Sequence, residues 1–170
     1  MNFLKLIRLP NLFIIALAQY LIRYTIIIPI LATYNLASSV SEINFFLVVL
    51  STVLIAAGGY IINDYYDLQI DLINKPEKII VSKQVTKKQS VNFYALLSLT
   101  GIAIGVYLSF FQNIFLLWQI NILSAVLLLV YSSFLKKIFL IGNIVISTLS
   151  ALSIYVLLIL EKDIWINFLQ

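Results

Sequence analysis

Between Val91 and Leu135 the chain runs forty-five residues without a charged side chain. As one α-helix that run would be roughly 67 Å long, more than twice the ~30 Å hydrocarbon core of a bilayer. It must turn back on itself, and the polar pair Gln112-Asn113 near its middle is the natural place. Leu12 to Tyr34 has the single charge Arg23, and Ile43 to Ile62 and Ile138 to Leu160 have none. Each can cross a bilayer once. Five spans are expected, over about 12–34, 43–66, 91–111, 114–135 and 138–160. Only 11% of the residues are charged and 62% are apolar, whereas a soluble domain carries roughly 25% charged residues. An ordinary soluble globule and a disordered chain are both excluded. The expected fold class is all-α, an integral membrane helical bundle in one domain.

The first apolar run is too long for a signal-peptide core, so it reads as an uncleaved helix. Ser39-Val40-Ser41-Glu42 and Thr86-Lys87-Lys88-Gln89 both show the S/T-x-x-E/Q capping pattern ahead of apolar runs. If the spans alternate, Lys5, Arg8, Lys75, Lys78, Lys83, Lys87, Lys88, Lys136 and Lys137 share one side, and Lys162 lies on the other. The positive-inside rule then puts the N-terminus and the 2–3 and 4–5 loops in the cytoplasm, as in an inner or plasma membrane. The lysines lie at membrane ends rather than on a free basic face, so nucleic acid is not an expected partner. Gly58-Gly59 and the Gly101/Gly105 G-x-x-x-G pair read as places of close helix approach. Arg23 lies within span one, where a charge is expected to face a polar interior.

Cysteine and histidine are absent. Disulfides, Cys/His zinc sites, histidine-ligated haem, and Ser-His-Asp or Cys-His catalysis are therefore excluded. Chemistry must rest on carboxylates, lysines, hydroxyls, amides or a bound cation. The concentrated candidate is Ile62-Asn63-Asp64-Tyr65-Tyr66-Asp67-Leu68-Gln69-Ile70-Asp71. If span two continues as a helix, Asp64, Asp67 and Asp71 lie on one face, and Asn63, Asp67 and Asp71 form an i, i+4, i+8 row. Three like charges at a membrane edge need compensation by protons or cations. Mg²⁺ favours carboxylate and phosphate oxygens, so the cluster reads as a Mg²⁺–diphosphate site. A solvated acidic helix end is the plainer alternative. Pro76 places Asn74-Lys75 in a loop.

This stretch resembles the first aspartate motif of the UbiA superfamily of membrane prenyltransferases. Its look is closest to the geranylgeranylglycerol-phosphate geranylgeranyltransferase-like branch. Leu6-Ile7-Arg8-Leu9-Pro10-Asn11 and the segment from Tyr131 through Lys136-Lys137 to Gly142-Asn143 resemble the same family more weakly. The resemblance implies a bundle of about nine spans with two facing aspartate motifs that bind Mg²⁺ and an isoprenyl diphosphate. Asn63, Asp67 and Asp71 match the first motif in the catalytic role, with Asp64 beside them as a further metal ligand. The second motif is unmatched: Glu161 and Asp163 lack its spacing and are expected on the other side of the membrane. The chain thus reads as the N-terminal part of such a domain. After the first motif the family often carries Arg-Pro and Pro-Ser-Gly, where this chain has Lys78-Ile79-Ile80-Val81-Ser82-Lys83.

The expected reaction is Mg²⁺-dependent transfer of a prenyl group, geranylgeranyl among the options, to a lipid or aromatic acceptor within the membrane. Lys78 and Lys136 are the candidate diphosphate ligands. Asn11 and Tyr131 are the candidates for the prenyl or acceptor pocket, although Tyr131 also suits an interfacial belt and Asn11 an interhelical bond. Tyr65, Tyr66 and Trp118 are further aromatics that could shelter an allylic cation. Two rivals stand beside this reading. One is a non-catalytic or split half that needs a second chain, and the other is a cation transporter. A CDP-alcohol phosphotransferase is disfavoured, because no D-G-x-x-A-R pattern occurs.

Overall fold

The computed structural model describes residues 2–74, 77 and 79–161. Its regular elements are helical: α1 (Asn2–Leu6), α2 (Leu9–Ile22), a π-helical turn (Arg23–Ile27), α3 (Ile28–Thr33), α4 (Glu42–Asn74), α5 (Lys87–Gln112), α6 (Leu116–Ser133), a 3₁₀ turn (Leu135–Lys137) and α7 (Ile141–Leu160). Five helices are long and apolar enough to cross a membrane, with α2, the π turn and α3 counting as one. Many large apolar side chains point outward, among them Phe13, Ile14, Leu96, Leu99, Phe110 and Ile144. In water such a surface would aggregate, whereas in lipid it costs nothing.

Local chemistry explains most of the boundaries. Pro29 lies in the first turn of α3, where its ring and missing N–H would break a regular ladder. The π turn just before it widens the helix, so the span continues with a bulge rather than a break. The 91–135 run does turn back at Asn113, which caps α5 in the left-handed region at φ 52° and suits asparagine. Thr86 and Gln89 form the reciprocal capping box at the start of α5. The other expected box is replaced. Ser41, not Ser39, caps α4 by accepting the Asn44 N–H at 3.2 Å, and Glu42 turns away to Arg23 and Tyr24.

Helix α4 is the axle. It extends well past Tyr66, to Asn74, and its 33 residues make a rod of about 50 Å. More than half of its most apolar stretch is buried, against about a quarter for each other span. Gly101 makes its close contact with α5 possible. A Cβ there would lie 2.7 Å from Ile55 Cγ1 and 3.0 Å from the Ser51 carbonyl. A Cβ on Gly105 would fall on the Asn121 amide. In this gap Asn121 Nδ2 donates to Ser51 Oγ (2.7 Å) and to the Gly101 carbonyl (3.1 Å), which satisfies polar groups that lipid cannot.

Arg23 finds its partners at the end of the bundle opposite the aspartates. It is buried, with its guanidinium 4.3 Å from the centre of the Phe45 ring. It pairs with Glu161 at 3.4 Å and Glu42 at 3.3 Å and donates to the Val40 carbonyl at 3.0 Å. Glu161, equally buried, also accepts from Ser38 Oγ and the Ser39 N–H. Gln19 adds a bond from Nε2 to the Ser153 carbonyl at 2.6 Å. These contacts fasten α7 to α2 and close the helices into a ring. Asp163 lies outside the described residues.

Breaking one side of a buried ion pair leaves the other charge stranded. Arg23→Leu is expected to cost about 3–5 kcal/mol, and Arg23→Leu with Glu161→Leu together should recover much of that loss. Reversible unfolding in mixed micelles checks both variants.

Candidate functional site

Four elements converge on the far end of α4. α1 and the segment after α4 fold over this end, burying Leu6, Ile7, Ile79 and Val81 against Ile61 and Leu68. Leu68 is thereby fixed inward, and the same turn holds Asn63, Asp64 and Asp67 partly buried around it. Glu42 to Asp64 is twenty-two residues, an axial rise of about 33 Å, a spacing that matches a ~30 Å hydrocarbon core.

The expected i, i+4 rung is present: Asn63 Nδ2 donates to Asp67 Oδ2 at 2.9 Å. Lys136, from the turn between α6 and α7, meets the same pair. Its Nζ lies 2.6 Å from Asp67 Oδ1 and 3.0 Å from Asn63 Oδ1. Gly142 permits this approach, since a Cβ there would stand 3.1 Å from Lys136 Cα. One turn back on α4, Arg8 binds Asp64 Oδ1 at 2.7 Å and lies over the Tyr60 ring at 5.0 Å. Arg8 occupies the left-handed region, φ 53° and ψ 55°, which reverses the chain between α1 and α2. Leu140, which starts α7, also has a positive φ, 67° with ψ −37°. Each such residue costs of order 1–3 kcal/mol. Strained turns thus flank both cation contacts.

Behind the rim lies a cavity of about 280 Å³. Its mouth is Arg8, Asn63, Tyr60, Tyr131 and Ser132; its walls include Ile15, Ile55, Ala56, Gly59, Leu128, Ile146 and Leu149; its floor is Thr52, Ile120, Asn121, Ser153 and Val156. Along α4 the cavity spans eleven residues, about 16 Å. A polar mouth above a mostly apolar shaft suits an amphiphile.

Asn63, Asp67 and Lys136 meet at one place, Asp64 is paired with Arg8 one turn back, and Tyr131 lines the cavity mouth. Asp71 is half-buried about one turn beyond Asp67, and no cation among the described residues forms an ion pair with it. Asn11 is exposed on the first turn of α2 and does not line the cavity. Lys78 lies outside the described residues. Tyr65, Tyr66 and Trp118 do not line the cavity. Arg8 and Tyr60 are participants that motif spacing had not singled out. Arg8's place before Leu9-Pro10 at a span's start was the available signal.

No group of three carboxylates among the described residues could hold one metal ion. Asp64 faces Arg8, and Asp67 faces Lys136. The oxygen donors Asn63 and Asp67 still fit Mg²⁺ in its usual mode, with one or two carboxylates completed by substrate phosphates.

Fold and site define a class: a helical membrane protein whose charged rim opens into an apolar shaft. The chain belongs to the UbiA prenyltransferase family, whose model matches residues 26–167. Among curated relatives it is 43% identical over 102 residues to digeranylgeranylglyceryl phosphate synthase of Saccharolobus solfataricus, covering 60% of this chain and 34% of the relative. The Korarchaeum cryptofilum synthase of the same name is 41% identical over 76 residues, or 45% of this chain and 27% of the relative. The Methanosarcina mazei one is 33% identical over 115 residues, or 66% and 38%. A solved structure from work on the biosynthesis of digeranylgeranylglyceryl phosphate synthase in membranes superposes with TM-score 0.70 at 28% identity, covering 90% of this chain and 50% of that one. The chain spans between 17% and 38% of the curated relatives it matches and half of the solved structure.

The Arg8–Asp64 pair is partly exposed, so its net contribution to folding is small. Arg8→Gln is expected to change unfolding stability by less than about 1 kcal/mol. Chemical unfolding in micelles measures this, and a larger loss would make Arg8 a structural tie.

Proposed function

We propose that this chain carries the diphosphate half-site of a membrane prenyltransferase. It would take an isoprenyl diphosphate and support transfer of the prenyl group to a glyceryl phosphate lipid, the product class named in its relatives. The observation that carries the reading is the juxtaposition of Asn63, Asp67 and Lys136 at the mouth of an apolar shaft. Family membership supports it. With residues 1–170 as one domain, the cation-rich end faces the cytoplasm, because all described Lys and Arg residues other than Arg23 gather there.

The residues divide the work by chemistry. Lys136 and Arg8 offer N–H donors to phosphate oxygens, and Lys78 is the third cation proposed for the diphosphate. Asn63, Asp67 and Asp71 supply oxygens to a divalent cation, for which Mg²⁺ is the proposed ion. A divalent ion held by these residues would supply charge neutralisation to the departing diphosphate. The isoprenyl chain lies along Ala56, Gly59 and Leu149 in the shaft. When the allylic C–O bond breaks, diphosphate departs with the electron pair and the carbon is left cationic. The ring faces of Tyr60 and Tyr131 stabilise that charge, and the apolar walls exclude the water that would quench it. The acceptor oxygen bonds to the carbon and passes its proton to the departing diphosphate.

The chain in bilayers with Mg²⁺ is expected to bind geranylgeranyl diphosphate. Transfer assayed in the complete assembly should fall on the order of 10²-fold or more in Asp67→Ala and Asp71→Ala. Equilibrium binding and radiolabel transfer are the measurements. Retained binding and transfer in both variants would refute the site.

A further inference from the structure

We propose that Lys136 is a placeholder cation: it occupies the Asn63–Asp67 oxygens until a diphosphate draws it off, and a metal ion then takes its place. The proposal rests on the diphosphate reading above and adds to it a coupling between diphosphate and metal binding.

The sequence alone suggests three carboxylates whose repulsion demands a metal. The folded chain answers part of that demand internally. Asp64 has Arg8, and Asp67 has Lys136. Lys136 Nζ touches Asp67 Oδ1 and Asn63 Oδ1 together, while the Asn63 amide occupies Asp67 Oδ2. Both oxygens of Asp67 are therefore engaged. A metal ion arriving alone must displace a contact of 2.6 Å and leave an ammonium beside a doubly charged neighbour. That exchange is unfavourable on both counts.

A diphosphate changes the exchange. It gives the ammonium new oxygens, and its own charge attracts the metal to the site. Lysine suits such a swap because its charge is a point on a flexible four-carbon stem. The backbone beneath it is held by the packing of Gly142 against Lys136 Cα, so the side chain can swing while the loop stays. Arg8 is less suited, since its guanidinium also lies over the Tyr60 ring. Metal and diphosphate thus bind with positive coupling, and the coupling is the same whichever binds first.

The test measures Mn²⁺ binding to the full chain in micelles, using the electron spin resonance of the free ion. The second ligand is geranylgeranyl S-thiolodiphosphate, with protein-free controls for Mn²⁺ bound by the analogue in solution. The wild type should bind Mn²⁺ alone weakly and at least about tenfold more tightly with the analogue present. Lys136→Gln should bind Mn²⁺ alone at least about tenfold more tightly than wild type and gain little from the analogue. The exposed neighbour variant Lys137→Gln should keep the wild-type affinity for Mn²⁺ alone.

Equal Mn²⁺ affinity in wild type and Lys136→Gln, with both binding the analogue, overturns the placeholder and leaves the diphosphate site standing. Failure of the wild type to bind the analogue at saturating Mn²⁺ overturns the site itself. Should Lys136→Gln not fold, the wild type decides: Mn²⁺ affinity unchanged by the analogue overturns the proposal.

Discussion

An ion inside hydrocarbon must find an opposite charge or leave. That constraint organises this protein. Its described charges within the helices gather at two ends of the bundle. At one end Arg23 is enclosed by Glu42, Glu161 and the Phe45 ring. At the other, Arg8 and Lys136 meet Asp64 and Asp67. Between them the helices are tied by uncharged polar groups, the Asn121–Ser51–Gly101 contact and Gln19 on the Ser153 carbonyl. A buried ion pair is weak evidence for added stability. Here Arg23 and Glu161 come from elements 138 residues apart, and their meeting specifies which helices close the ring.

Ring closure produces the cavity. α2, α4, α6 and α7 surround it, while α5 packs outside, pressed onto α4 through Gly101. Gly59 belongs to the same economy of space. A Cβ there would come within 2.8 Å of the Leu128 methyls, and the bare glycine leaves the shaft open at that level. The rim is built differently, by turns. Arg8 and Leu140 hold positive-φ backbones that flank the two cation contacts, so the site's positive charge comes from outside the long helices and its negative charge from the axle.

Much of the fold was legible, because lipid imposes a length rule on apolar segments. The turn at Asn113 followed from a run too long to cross once, and the Thr86–Gln89 box from its local spacing. The Asn63–Asp67 rung was legible for the same reason, being one helical turn. What lay hidden is what only tertiary packing makes. Lys136 is 69 residues from Asp67 and Arg8 is 56 from Asp64. No periodicity links such positions. The same holds for Glu42. Its spacing from Ser39 suited a cap, but the buried Arg23 competed for the carboxylate and won. The π turn at Arg23–Ile27 was hidden too, although Pro29 marked its neighbourhood.

The two charged ends also make the axle a caliper. About 33 Å separates Glu42 from Asp64 along α4, and neither group can be drawn into acyl chains without losing its partners. A bilayer much thicker than that spacing must thin around the protein. A thinner one must be met by tilting the whole ring, because the fastened α2–α7 seam prevents one helix from leaning alone.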